Sequence, residues 1–178
     1  DNHYIELSNE HDAEPQYANE FSFGALTITG NIFIASHAQP GFGWIVVTPR
    51  GPGHFLYGLT VTSNVFHARA GNIDRAEVVD TSYATLAFNA FRNVTFESNT
   101  FTGVVQRASS PLLVEHTQNT AADTWAVDSG NLLPFGGRAR NVTAIVAEGA
   151  ITTAAGAVQS VMPYAQVEQG TAGQLANL

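Results

Sequence analysis

The chain has no cysteine, and its apolar residues never form one long uninterrupted run. Without cysteine there is no disulfide and no cysteine-based zinc site. A membrane-spanning helix needs about 20 consecutive, mostly apolar residues, and a secretory signal needs a shorter apolar stretch behind positive charges. Neither pattern occurs in the 178 residues, so we expect no insertion into a membrane.

Charged residues are scarce as well. Asp, Glu, Lys and Arg together make up 12% of the chain, and all seven basic residues are Arg. The formal net charge of −8 makes nucleic acid an unsuitable partner, because an acidic surface repels a phosphate backbone. The chain starts at Asp1 and not at Met, so we expect it to be a processed or excised piece of a longer protein.

What the sequence contains instead is an eight-residue motif written three times. The copies are Leu26–Phe33, Leu59–Phe66 and Val94–Phe101, and their first residues lie 33 and then 35 positions apart. Each copy reads aliphatic, Thr, apolar, any residue, Gly or Ser, Asn, any residue, Phe. Self-similarity at a nearly fixed spacing is typical of a solenoid, in which each copy stacks on the previous one.

The alternation within the motif predicts which side chains enter the core. Period-two alternation places the first, third and eighth residues of each copy inside and the Thr at the second place outside. The Gly/Ser-Asn pair is expected to bend the chain, since Asn tolerates left-handed backbone angles and its amide bonds nearby backbone. Stacking then predicts an amide ladder and an aromatic stack, formed by Asn31, Asn64 and Asn99 and by Phe33, Phe66 and Phe101.

A second kind of short strand is expected to alternate with the motif. Short apolar or alternating runs precede the three copies and the later segment Val142–Ala147, which has lost the Asn and the Phe and is expected to be a capping copy. These runs are Tyr4–Asn9, Trp44–Pro49, Ala84–Asn89 and Leu112–Thr117.

The character of the chain changes after Asn119, and alanine-rich runs follow to the end. Ile151–Thr153, Ala157–Met162 and Tyr164–Glu168 are predicted as short strands, with a helix over 157–169 as the alternative that Pro163 disfavours. We therefore expect two parts: coils with inserted loops over residues 1–141 and a capping or oligomerisation segment over residues 142–178.

The repeated motif resembles that of right-handed parallel β-helix proteins, the pectate-lyase-like group that includes phage tailspikes. The resemblance covers residues 4–117 and implies an all-β fold, a right-handed parallel β-helix (solenoid) with an irregular C-terminal β segment that joins three chains. In character the chain is most similar to spikes of phages or of phage-like gene-transfer particles. That likeness implies a homotrimeric spike or adhesin on the extracellular surface of such a particle, which recognises polysaccharide on the host cell.

Enzymes of this fold provide the alternative, a glycosidase or lyase that degrades the same polysaccharide. The set typical of polygalacturonases is absent: His54 follows Gly53 but precedes Phe, and there is neither an Asp-Asp pair nor any Lys. A pectate lyase needs clustered carboxylates, which only Asp74, Glu77 and Asp80 beside Arg75 approximate.

A tailspike glycosidase needs only a pair of carboxylates about 5–9.5 Å apart. Glu6, Glu97 and Glu115 fall on predicted strands and are the candidates for such a pair. An outward carboxylate is more often a solvated side chain, so we assign no catalytic residue. A third hypothesis is a purely structural module that extends a fibre.

The candidate ligand site consists of aromatic and charged side chains in the loops that follow the motifs. Sugars bind through apolar ring faces stacked on aromatic side chains and through hydroxyls held by polar groups. The competing interpretation is that some of these aromatic residues pack in the core. The histidine residues have no spacing typical of metal ligands, so we expect neither a metal nor another cofactor. The residues predicted to bind polysaccharide are Phe42, Trp44, Arg50, His54, Tyr57, Arg69, Asp74, Glu77 and Tyr83.

Overall fold

The computed structural model describes residues 4–8, 10, 24–51, 55–160, 163–168 and 175–177. In these residues the chain forms short β-strands joined by turns and loops, and none belongs to a helix long and apolar enough to cross a membrane. The strands are β1 (Ile5–Ser8), β2 (Leu26–Thr29), β3 (Ile32–Ala35), β4 (Ile45–Thr48), β5 (Leu56–Tyr57), β6 (Leu59–Thr62), β7 (Val65–Ala68), β8 (Ile73–Arg75), β9 (Glu77–Val79), β10 (Phe91–Arg92), β11 (Thr95–Glu97), β12 (Thr100–Thr102), β13 (Val104–Gln106), β14 (Ala126–Asp128), β15 (Gln166–Glu168) and β16 (Leu175–Asn177).

Two parallel sheets are built from the repeated motif. One stacks β2, β6 and β11, and the other stacks β3, β7 and β12. Leu26 lies beside Leu59 and Thr60 beside Thr95, so neighbouring strands are offset by the 33 and 35 residues that separate the copies. The predicted register of the motif is confirmed, and the fold is all-β with stacked parallel strands.

The side chains of these strands alternate between core and surface as the motif predicts. Val61 and Phe96 are completely buried, whereas Thr27 and Thr29 are exposed. Since burial of a large apolar side chain stabilises a fold by roughly 1.5–3 kcal/mol, the inward positions of the motif supply much of the stability of the stack. Its core also contains Trp44, Ile45, Val47, Leu56, Leu59 and Phe66.

The predicted amide ladder and aromatic stack are both present. The Nδ2 of Asn31 donates to Oδ1 of Asn64 at 3.1 Å, and the Nδ2 of Asn64 donates to Oδ1 of Asn99 at 3.1 Å. The ring of Phe66 is stacked between two others, with centroid distances of 4.9 Å to Phe33 and 5.4 Å to Phe101. Each copy of the motif is therefore tied to the next by the same contacts.

The bend between the two sheets differs from the expectation in one respect. The left-handed backbone angle falls on the residue before the Asn, with φ of 69° at Gly30, 56° at Ser63 and 55° at Ser98. The Asn acts through its amide instead: Asn64 donates to the backbone carbonyls of Ile28 at 2.9 Å and of Thr62 at 3.0 Å. In each turn the Gly or Ser therefore provides the left-handed backbone angle, and the Asn side chain provides the hydrogen bonds.

A third parallel sheet stacks β1, β4 and β9, and two shorter ones pair β5 with β10 and β8 with β13. The expected strand at Trp44–Pro49 is found as β4, but the strand stacked beside it is Glu77–Val79 and not Ala84–Asn89. Residue Gly43 permits this packing, since a Cβ there would lie 2.7 Å from Cγ2 of Val78. The chain returns to the third sheet directly after β8, and this leaves Ala84–Asn89 outside the sheets, with a short 3-10 turn at Phe88–Ala90.

The edge of β11 is covered by the chain itself. Ser110 forms an antiparallel bridge with Phe96, with hydrogen bonds of 3.0 and 2.9 Å in the two directions. The ring of Phe135 stacks on Phe91 at 5.4 Å and meets Phe96 edge-on at 6.1 Å. An unpaired parallel edge invites association with other chains, so these contacts protect the end of the stack.

The chain divides into two compact units. Unit 1 comprises Asp1–Pro111 and Leu132–Gly136, and unit 2 comprises Leu112–Asn131 and Gly137–Leu178. Unit 1 contains the stacked parallel strands and the core.

Unit 2 contains a small antiparallel sheet in the order β14, β16, β15. An isolated antiparallel bridge joins Thr152 to Val158, and β15 lies within the expected strand at residues 164–168. The described residues of 157–169 form no helix, and no strand forms at residues 112–117 or 142–147. Those last two segments lack neighbouring copies of the motif against which to pair.

Candidate functional site

The structure distributes the predicted ligand residues over several places in unit 1. Three of them, Phe42, Asp74 and Glu77, line one cleft, and Arg50 contacts Tyr83 in another place. The side chains of Tyr57 and Arg69 form no hydrogen bond, ion pair or ring contact with other described members of the set. His54 lies outside the described residues, and Trp44 is buried.

The cleft lies where β8 turns into β9, and we call it the β8–β9 cleft. Its volume is about 250 Å³. Strands β8 and β9 position its charged groups through their pairing with β13 and β4. The residues that line it include Phe42, Asp74, Arg75, Glu77, Val78 and Phe135.

Glu77 lies at the base of this cleft with no exposed surface. Its Oε1 accepts hydrogen bonds from Nε of Arg75 at 2.8 Å and from the backbone N–H of Phe135 at 3.1 Å. Its Oε2 is buried and has no hydrogen-bond partner among the described residues. Burial raises the pKa of Glu77 above its ordinary value, and the opposing effect of the Arg75 charge and hydrogen bonds is smaller.

Arg75 joins Glu77 to a distant part of the chain. Its Nη2 lies 2.7 Å from Oε1 of Glu77 and donates to the backbone carbonyl of Leu133 at 2.7 Å. Two side chains of the β8–β9 turn therefore hold the segment at residues 132–136 by its backbone. Sequence reasoning did not identify Phe135 as part of a site, because 58 residues separate it from Glu77 and no local pattern marks the contact.

A second group of charged and aromatic side chains surrounds Arg50, and we call it the Arg50–Tyr83 patch. The guanidinium carbon of Arg50 lies 3.6 Å from the ring centroid of Tyr83, a cation–π contact, and its Nη2 lies 3.2 Å from Oε1 of Glu10. Tyr83 is 60% exposed, so one side of its ring is open to a ligand. Hydrogen bonds from Ser82, and less strongly the charge of Arg50, lower the pKa of Asp80.

Two predicted ligand residues occupy positions that do not suit a surface contact. Trp44 is 1% exposed and packs against Phe42 and Phe66, with ring centroids 5.6 and 5.5 Å away. The apolar surface of its indole is used in the core, because Trp44 directly precedes β4 beneath the loop that carries Phe42. The carboxyl of Glu77 is covered as well, so both residues differ from the expected exposed contacts.

Two further predicted residues are exposed but isolated. Tyr57 is 47% exposed on β5, where its carbonyl accepts a hydrogen bond from the backbone N–H of Ala25 at 2.8 Å. Arg69 is exposed at the end of β7, and its backbone N–H donates to the carbonyl of Ala35 at 2.8 Å. Their positions are fixed by backbone pairing, and their side chains remain open to solvent.

The carboxylates that were considered for glycosidase chemistry are separated by the fold. Glu6 is exposed on β1 and Glu97 is exposed on β11, in different sheets. Glu115 belongs to unit 2 and is exposed on a segment without a strand. No group of three or more His, Asp or Glu residues in the described ranges is placed to hold a metal ion.

Comparison with known proteins adds no relative to this description. No protein-family model, no curated protein and no solved structure matches the chain. The function proposed below is therefore argued from the fold and from the two surface features, the β8–β9 cleft and the Arg50–Tyr83 patch.

Proposed function

We propose that the chain is a module of a spike or fibre, an adhesin on the surface of a phage or phage-like particle, that recognises cell-surface polysaccharide of the host. The stacked strands are in this proposal successive coils of a right-handed parallel β-helix. The observation that carries the proposal is the in-register stack with its Asn ladder and Phe stack. Such a stack is a rigid rod that presents loops along its sides.

The loops of unit 1 offer the groups that a polysaccharide requires. Tyr83 and Tyr57 are 60% and 47% exposed, and the guanidinium of Arg50 lies over the ring of Tyr83. Aromatic rings stack on the apolar faces of sugars, and Arg bonds hydroxyls or an isolated carboxylate. With a net charge of −8 the chain suits a neutral polymer better than a strongly anionic one.

Association into a homotrimer through the C-terminal segment belongs to the same proposal. Among the residues of unit 2 whose burial is described (112–131, 137–160 and 163–167), Ser129 is buried and every apolar residue is at least partly exposed. Leu113, Val146 and Tyr164 are 87, 83 and 80% exposed. A segment of this size without a core of its own gains stability when neighbouring chains cover its apolar side chains.

A glycan array tests the proposal. We expect the full chain to bind neutral cell-surface polysaccharides, and we expect the Arg50→Ala, Tyr83→Ala double variant to bind them at least about tenfold more weakly, as the loss of a stacked ring and its cation predicts. Tyr4→Ala is the matched control, since Tyr4 is 54% exposed and lies outside both surface features. Absence of binding by the parent chain, or equal binding by the double variant, would refute the assigned surface.

The second candidate is a depolymerase of the same fold, and one observation favours it. Glu77 is a carboxyl with a raised pKa in a cleft that Asp74 also lines, and a pair of carboxyl groups with one raised pKa is typical of glycosidases. Against it, Glu77 is fully covered and holds Arg75 and Phe135. Release of reducing ends from a bound polysaccharide, lost in Asp74→Asn, would establish this candidate over the adhesin.

A further inference from the structure

The base of the β8–β9 cleft contains a polar atom whose hydrogen-bonding capacity is unused. Oε2 of Glu77 is buried without a partner among the described residues, while Oε1 of the same carboxyl accepts from Arg75 and from Phe135. A buried polar atom without a partner costs about 1–3 kcal/mol. Such an atom is accounted for by a bound water or ion, by strain or by a functional role, and a ligand hydroxyl would satisfy it equally well.

The walls of the cleft combine two aromatic rings with one exposed carboxylate. Phe42 and Phe135 are half-buried and belong to segments far apart in sequence, and Asp74 is exposed on β8. The ring of Phe42 packs edge-on against the ring of Trp44, with a distance of 5.6 Å between the ring centroids. Rings held in this way can take the apolar face of a small ligand, and Asp74 can accept its hydroxyl groups.

The size and charge of the cleft restrict the ligand. Its volume of about 250 Å³ is below the range of roughly 300–1,000 Å³ that is typical of sites for drug-sized molecules, so one sugar ring fits it better than a longer segment. The charge of Glu77 is balanced by Arg75 at 2.7 Å. Asp74 disfavours an anion, and its carboxylate oxygens accept hydrogen bonds from hydroxyl groups. We take a neutral, hydroxyl-bearing ligand as the class to test, with an amino sugar as the cationic alternative.

We propose that the β8–β9 cleft holds one neutral sugar unit of the polysaccharide, with Phe42 and Phe135 on its apolar face and Asp74 on its hydroxyls. This inference rests on the proposed function, because it names the sugar class and the place where that sugar is held. A hydroxyl that reaches the base of the cleft supplies Oε2 of Glu77 with its missing partner. Because Glu77 has no exposed surface, this last bond requires side chains of the cleft to move when the ligand binds.

Titration of the full chain with methyl glycosides of glucose, galactose, mannose and rhamnose tests the inference, read by the backbone amide NMR signals of unit 1. We expect at least one neutral glycoside to cause saturable shifts at Asp74, Arg75 and Phe135 but not at Tyr83. Asp74→Asn should weaken this binding by about two- to tenfold, the equivalent of one hydrogen bond. Asp123→Asn, at an exposed position of unit 2, is the matched control and should bind as the parent does.

Three results would overturn the assignment. No saturable shift at the cleft with any neutral glycoside would refute it, and so would shifts that Asp74→Asn and Phe42→Ala leave unchanged. Stronger binding of glucosamine or glucuronic acid than of the neutral sugars would show that the ligand class is wrong.

The outcome is distinguishable from that of the proposed function. If the parent and the two cleft variants bind a polysaccharide equally, the cleft inference fails and the adhesin proposal stands. If the glycosides shift the cleft signals and no polysaccharide binds, the cleft inference stands and the adhesin proposal fails.

Discussion

At the scale of single residues, the turn between the first two sheets shows how one motif position bears backbone strain. Gly30, Ser63 and Ser98 occupy the same place in the repeat, and all have φ between 55° and 69°. A residue with a Cβ is strained there by roughly 1–2 kcal/mol, whereas glycine is not. The sequence uses glycine once and serine twice, so the three turns differ in strain although their geometry is the same.

This difference predicts opposite effects of two matched substitutions. Ser63→Gly should stabilise unit 1 by up to about 1 kcal/mol, because relief of the strained angle exceeds the extra chain entropy that glycine loses on folding. Gly30→Ser should destabilise unit 1 by a similar amount. Nothing lies within 4 Å of the position that the added Cβ would occupy, so the strain of the backbone angle is the main cost. Urea unfolding of both variants measures the two signs, and equal signs would contradict the explanation.

Glu77 predicts a pH dependence of stability. Burial raises its folded-state pKa above the value in the unfolded chain, so the folded state binds the proton more tightly. The stability gained from this proton is fully present below the unfolded pKa and is lost as pH rises through the folded pKa. The free energy of unfolding of the parent should therefore contain a component that falls with rising pH.

The matched variant is Glu77→Gln, which keeps the shape of the side chain and cannot titrate. Urea unfolding from about pH 4 to about pH 8, a range that begins at the ordinary pKa of a carboxyl, should show that component in the parent and not in the variant. Asp80 does not interfere in this range, because its lowered pKa confines the loss of its contribution to pH values below the ordinary pKa of an Asp carboxyl. A variant with the same pH profile as the parent would show that Glu77 does not titrate as the structure predicts.

At the scale of elements, each strand of the stack is stabilised mainly by the neighbouring strands of its parallel sheet. The ring of Phe66 lies between those of Phe33 and Phe101 and also contacts Trp44. It is completely buried, whereas Phe33 and Phe101 are half-buried. The central copy of the motif is thus the one whose side chains are enclosed on both sides.

Truncation of the central ring should therefore be more costly than truncation of an outer one. Phe66→Ala should destabilise the protein by about 3–5 kcal/mol through lost burial and a cavity, while Phe33→Ala should cost clearly less. Thermal and urea unfolding of both variants test the order. A Phe66→Ala protein that melts within a degree or two of the parent would refute the role of the stack.

At the scale of the whole molecule, the two units differ in how much apolar surface each buries by itself. Unit 1 has a continuous core from Ile28 to Ala108, whereas unit 2 buries no apolar side chain at residues 112–131, 137–160 and 163–167, where burial is described. Alanine-rich sequence explains this, since a small side chain removes little area from water. Stability of unit 2 is therefore expected to depend on other chains.

Removal of residues 148–178 tests this dependence. It deletes β15 and β16 and leaves β14 without its partner. We expect the truncated protein to be a monomer or to aggregate, while the full chain is a trimer, as measured by light scattering at several concentrations. If the truncated protein still forms a soluble trimer with an unchanged melting temperature, the proposal that residues 148–178 hold the trimer together is wrong.

The sequence alone determined the parallel stack, because a motif repeated at a nearly constant spacing has one register in which every inward position and every Asn meets its equivalent. It therefore predicted the ladder, the Phe stack and the outward Thr rows. For the third sheet it predicted β1 and β4 within Tyr4–Asn9 and Trp44–Pro49, but it missed β9. The strand Glu77–Val79 is too short to show a period, and Ala84–Asn89 has a strand pattern without a place in the stack.

The candidate site was determined by tertiary structure. The sequence predicted one surface for the whole ligand set, whereas the structure brings Phe42, Asp74 and Glu77 to one cleft and places other members elsewhere. No local sequence pattern showed that Trp44 packs in the core or that Glu77 is buried and bound to Arg75. Nor did any pattern show that Phe135, 58 residues from Glu77, lines the same cleft. Such contacts depend on the path of the chain at the end of the stack. Burial and hydrogen bonding between distant segments decide that path, and they produce no periodic pattern in the sequence.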